Sequence, residues 1–164
     1  MKWKELFDKW SMSYIRLNAG FAELEFSPKD PDRDAAWEMY VELLTRITTQ
    51  PLDDEHGDEQ TALDSVFSLF ALTRQTLKQQ GRHCTEFAKI AVIVLNQVVR
   101  PFTAKWHGAS LANEFNQPKH RKEFRDELKE LQLKLRHYSS LLADLAGVED
   151  MTEVTNVQIG ESES

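Results

Sequence analysis

At 164 residues, with 41% apolar and 29% charged side chains, the chain fits one domain with a real core, and wholesale disorder is excluded. A single cysteine, Cys84, excludes an intrachain disulfide and any CxxC metal or redox motif. The net charge of −7 is uneven: residues 1–81 carry −6, residues 82–137 carry +5, and residues 148–164 hold five acids and no base.

Trp3, Leu6, Phe7 and Trp10 have helical spacing and predict a short N-terminal helix. The opening Met1-Lys2-Trp3-Lys4-Glu5 has no apolar run of the signal-peptide kind, and the run at 90–95 is too short to span a bilayer. A cytoplasmic setting without membrane association is the expectation. Over residues 14–26, Ile15, Leu17 and Ala19, then Ala22, Leu24 and Phe26, alternate with polar residues around Asn18-Ala19-Gly20. This reads as a β-hairpin, with helix as the alternative because Ala, Leu and Glu suit one.

Asp30 is placed to cap a helix whose first residue is Pro31, with Trp37, Tyr40, Val41, Leu44 and Ile47 on its apolar face. It should stop before Pro51, ahead of an acidic loop at 52–60. The next helix runs from about Asp58 or Thr61 to Gln80 with Leu63, Val66, Phe67, Phe70 and Leu77 on one side, and Gly81 closes it. A further helix begins near Thr85, whose hydroxyl can cap it. Being apolar nearly all round, it belongs at the centre, and Pro101 should end or kink it. Its β-branched residues also allow a buried strand.

The last helix carries the strongest signal. Phe124, Leu128, Leu131, Leu135, Tyr138, Leu142 and Leu145 are spaced alternately four and three apart, an unbroken heptad seam ending at Gly147. The fold class expected is mainly all-α. It is a four-helix-type bundle over residues 1–147 with an N-terminal arm at 1–26, followed by a loose acidic tail at 148–164.

Candidate chemistry is sparse. Arg100, Lys105, Trp106 and His107 combine cations, an aromatic surface and an imidazole around Pro101, and Arg46 and Gln50 can join them as ligand or partner contacts. An anionic small molecule or nucleotide would suit such a set. The same residues also fit a helix end whose cations offset terminal carbonyls while Trp106 fills the core. Lys119, Arg121, Lys122, Arg125 and Lys129 make a basic face for a nucleic-acid backbone, but Glu123, Asp126, Glu127 and Glu130 interleave with them. Nucleic acid is therefore a poor partner.

The acidic loop around His56 lacks the alternation of an EF-hand. His83, Cys84 and Glu86 lack a fourth zinc ligand, and Cys84 before an apolar helix reads as inert core. No phosphate loop, dinucleotide fingerprint or nucleophile elbow occurs. No metal, cofactor or catalytic residue is expected.

Two strings are specific for interhelical segments: Arg46-Ile47-Thr48-Thr49-Gln50-Pro51-Leu52 and Val98-Val99-Arg100-Pro101-Phe102-Thr103-Ala104-Lys105-Trp106-His107. With Asp144-Leu145-Ala146-Gly147, they resemble small helical modules of bacterial gene clusters that accompany effector or defence enzymes. The resemblance implies an accessory role and supplies no catalytic residue. Together with the seam and the charge asymmetry, it leads to a non-catalytic interaction subunit that docks another protein or itself.

Overall fold

The computed structural model describes residues 1–154. Among them helix is the only extended regular structure. α1 (Trp3–Lys9) and the single turn α2 (Ala19–Ala22) form the N-terminal arm, followed by α3 (Asp30–Leu44) and α4 (Glu59–Gln80). A 3-10 turn at Gly81–His83 leads into α5 (Thr85–Val94), which passes through a π segment (Leu95–Val99) into α6 (Arg100–Leu111). A second 3-10 turn, Glu114–Asn116, precedes α7 (Pro118–Ala146).

All seven heptad residues of α7 are buried, Phe124, Leu135 and Leu142 completely. Their main partner is α3, which also packs against α4 and α5, while α6 bridges α4 and α7. The buried face is wider than a two-residue seam, because Gln132, Ser139, Leu141 and Ala143 are also covered. Gly147 ends the helix at φ 72°, and the Val148 N–H bonds back to the Ala143 carbonyl at 3.1 Å. Arg33 reaches the Leu145 carbonyl at 3.1 Å, a cation at the negative end of the helix.

There is no hairpin at 14–26. Asn18 accepts a hydrogen bond from the Phe21 N–H at 2.8 Å and caps a helical turn instead of forming a β-turn. The only β contact among the described residues is an isolated bridge between Lys2 and Glu25. Phe21 and Phe26 gather around the Trp3 ring, with centroids 4.8 and 5.0 Å away, and Leu24 is left exposed.

Asp30 does not cap α3. Asp32 does so from inside the first turn, accepting from the Lys29 N–H at 2.8 Å. Its other oxygen accepts from the Phe87 N–H at 2.9 Å, so one buried carboxylate serves the N-termini of both α3 and α5. Glu86 answers from α5 by accepting from the Ser27 N–H at 3.1 Å. Asp32 thus supplies the cap expected of Thr85, which is the first residue of α5, while the N-cap residue Cys84 makes no side-chain cap bond.

The α3 core face is Ala36, Met39, Tyr40 and Leu43, and Trp37 and Val41 face solvent. Its end is chemically explicit. Thr48 and Thr49 both donate to the Leu43 carbonyl, and Gln50 donates to that of Leu44. The buried Gln132 amide then clamps the Ile47 and Gln50 carbonyls, each at 2.7 Å.

Pro101 does not end its helix. The preceding π turn shifts the ladder, the Arg100 N–H bonding to Leu95, so the missing proline donor falls at a wound-out turn. The Thr103 hydroxyl is within reach of the Val99 and Arg100 carbonyls at 3.3 and 3.2 Å and can share its proton between them. The result is one helical run, Thr85–Leu111, long and apolar enough by length and composition to cross a bilayer, with 44% of its most apolar window buried.

Residues 148–154 are not loose throughout. Met151 donates its N–H to the Tyr40 hydroxyl at 2.6 Å, and Thr152 is buried. The remainder of the expected tail, 155–164, lies outside the described residues.

Candidate functional site

The six residues expected to share a ligand are each engaged locally. Arg46 pairs with Glu42 one turn back at 2.8 Å, and Gln50 serves the end of α3. On the other helical run, Arg100 donates to Asn96 and lies 4.8 Å above the Phe70 ring. Lys105 is held by Glu123 and Glu127, which keep its ammonium above the ordinary lysine range. Trp106 is buried against Phe115 and Phe124, and its indole N–H donates to Glu127 at 2.8 Å. His107 stacks on the exposed Phe67. No described contact joins Arg46 and Gln50, which follow α3, to the α6 group, so the arrangement offers no convergent anion cradle.

The basic face of α7 is largely occupied by the protein itself. Arg125 donates to Glu59 at 3.0 Å and to the carbonyls of Asp53 and Gly57 at 3.1 and 2.9 Å. That guanidinium gathers the acidic loop at 52–60 and ties it to α7, a long-range role with no sequence signal beyond opposite charge. Gly57 is required there, since a Cβ would sit 2.4 Å from the Asp53 carbonyl oxygen. Arg121 caps the Phe115 carbonyl and Lys122 pairs with Asp126, leaving Lys119 and Lys129 as exposed cations. A phosphate backbone would have to displace most of these contacts.

Two titratable clusters have environments that set their charge state. Cys84 is buried at the start of α5, where burial first and the Asp32 charge second raise its thiol above the ordinary range. Tyr14 stacks on His137, with burial pushing the phenol up to about 12 and lowering the imidazole. Both are neutral near pH 7. Among the described residues no cluster of three or more His, Cys, Asp or Glu side chains could hold a metal ion.

What the fold leaves exposed is more informative. The groove holding Trp37 and Val41 is lined with Glu38, Glu42, Gln75 and Gln79, a mostly polar frame. Phe67 is already covered on one side by His107. α5 differs, because it buries Phe87, Ile90, Ala91 and Val94 yet still turns apolar residues outward. Val92 is 45% exposed, with Ala88, Ile93 and Leu95 half-buried around it. The expectation placed this helix at the centre of the bundle; one face of α5 is core, and the face carrying Val92 is open. A helix apolar on all sides is normally covered on all sides, and this one is not.

The wall beside this face is fixed in place. Gln97, in the π segment, clamps the backbone of Arg16 with two 2.8 Å hydrogen bonds, from the Arg16 N–H and to its carbonyl. The arm thereby stands alongside α5 and its Leu17 and Phe21 face Val92 and Ile93 across an open groove of about 470 Å³. The sequence pointed to this surface only through the all-round apolar character of α5.

No known family model matches the chain, nor does any curated protein or solved structure.

Proposed function

We propose that the chain is a non-catalytic accessory subunit that docks a protein partner through the outer face of α5. In this reading α3, α4, the α5–α6 run and α7 act as a four-helix-type bundle, and the arm completes the docking wall. The observation that carries it is the apolar stripe of exposed Val92 with half-buried Ala88, Ile93 and Leu95 on a helical run whose other face is core. Occupation of the expected ligand and nucleic-acid residues by contacts within the chain supports it further. The resemblance to helical modules of bacterial effector and defence clusters fits a cytoplasmic role of this kind.

Light scattering on the purified protein, alone and mixed with products of adjacent genes, tests the reading. The expected result is a complex or a discrete oligomer that Val92→Glu abolishes while the melting temperature stays within about 2 °C. A strict monomer that joins none of those products, or a complex indifferent to Val92→Glu, overturns it.

A further inference from the structure

We propose that the α5 face receives an acidic amphipathic helix of the partner, laid along α5 across Ala88. The inference rests on the docking reading above and names the chemistry of what docks.

Two grooves meet at Ala88. One, of about 470 Å³, lies between α5 and the arm and is floored by Leu17, Phe21, Val92 and Ile93. The other, of about 440 Å³, lies between α5 and the end of α4 and is floored by Leu77, Cys84 and Ala88 itself. Ala88 lines both, and a small side chain there lets a second helix approach closely. Apolar side chains three, four and seven apart on that helix reach both grooves. Concave flanks on either side of a central small residue suit protruding side chains better than a flat bilayer surface.

Charge identifies the partner's other face. Arg16 and Lys89 border the first groove and Lys78 and Arg82 the second, and no carboxylate lines either one. Lys89 is matched by Glu86, whereas Arg16, Lys78 and Arg82 form no ion pair among the described residues. This is a cationic rim on a chain whose net charge is −7. A partner helix with glutamates or aspartates flanking its apolar stripe complements the rim, and a lysine-flanked one meets like charge.

The test uses the full chain and a fluorescein-labelled synthetic helix of about 18 residues, roughly five turns. The helix carries a leucine stripe and flanking glutamates, and a control peptide has lysine in place of every glutamate. Anisotropy should show saturable binding of the acidic helix, at least about tenfold tighter than the lysine control. Val92→Glu should weaken it about tenfold or more, and Arg16→Glu with Arg82→Glu should weaken it and flatten its salt dependence. The exposed arginine pair keeps the test valid should Val92→Glu melt early.

Equal binding of both peptides, or an affinity that neither variant changes, overturns the proposal. So does Val92-dependent binding to phosphatidylserine vesicles with no peptide binding, which would assign the face to a membrane. If a natural partner complex is lost on Val92→Glu while the acidic helix fails to bind, the docking reading stands and the acidic-helix proposal falls.

Discussion

Replacing Asp32 by alanine is the sharpest test of how this fold is joined. The Asp32 carboxylate is 1% exposed and accepts two backbone hydrogen bonds, from Lys29 at 2.8 Å and Phe87 at 2.9 Å. Alanine leaves both donors without that partner; the buried Phe87 N–H left unsatisfied costs about 1–3 kcal/mol, and the part-buried Lys29 N–H adds less. The loss of a negative charge between two helix N-termini adds to this. A total of about 3–5 kcal/mol follows, a large part of the 5–15 kcal/mol typical of a whole domain. At about 2–4 °C per kcal/mol for a chain of this size, the melting temperature should fall by about 6–20 °C. Urea denaturation of the wild type, Asp32→Ala, Asp32→Asn and Asp30→Ala measures the effect directly. Asp32→Asn should be intermediate, since its amide keeps one acceptor oxygen, and Asp30→Ala should lie within about 0.5 kcal/mol of wild type. A loss under about 1 kcal/mol for Asp32→Ala, or a larger one for Asp30→Ala, would refute the two-helix clasp.

Three further outcomes follow from single contacts. Gly57→Ala should destabilise the protein by about 2 kcal/mol, read by denaturant titration, because its Cβ would strike the Asp53 carbonyl in the loop that Arg125 holds. Asp58 caps α4 through Thr61, whose hydroxyl and N–H hold the carboxyl below its ordinary value of 3.8. Asp58→Ala should therefore cost about 1 kcal/mol above that pH, and the difference should vanish as acid protonates the folded carboxylate. A difference that grows on acidification would contradict the assignment. Cys84, buried with a raised pKa, should react with a thiol reagent only as fast as the protein opens, so rapid stoichiometric labelling under native conditions would show the burial to be wrong.

The elements that were legible in the sequence are those whose periodicity records a single burial geometry. α7 packs mainly on α3, with Phe124 at its start set against Phe102, Trp106 and Phe115, and its four-three spacing survives as a row of buried side chains from Phe124 to Leu145. α3 has neighbours in α4, α5 and α7, and its small residues Ala35 and Ala36 take the tightest positions. Ranking by size therefore put the bulkier Trp37 and Val41 inward when they point out. The hairpin reading failed for a local reason, because the side chain that marks a turn also caps a helix, and Asn18 does the latter. The roles of Asp32, Arg125 and Gln132 were not legible at all. Each satisfies backbone groups more than fifty residues away, and such pairings leave no trace in local spacing.

Charge asymmetry pointed toward docking, but the structure changes which charges matter. Most cations between 82 and 137 are spent within the chain: Arg125 on the acidic loop, Lys105 on Glu123 and Glu127, Lys122 on Asp126, and Arg136 on the Thr49 carbonyl. Of these, only Arg125 and Arg136 reach into the acidic half of the chain, whereas the pairs of Lys105 and Lys122 lie within the segment and leave its excess of +5 unchanged. Arg82 belongs to the same segment, yet its useful neighbours, Arg16 and Lys78, come from the acidic half. The patch is positive although Arg16 and Lys78, two of its three cations without an ion pair among the described residues, come from the half whose sum is −6. The cationic rim of α5 is therefore a product of folding, and because it surrounds apolar residues, the acidic helix proposed above would neutralise it and cover them together.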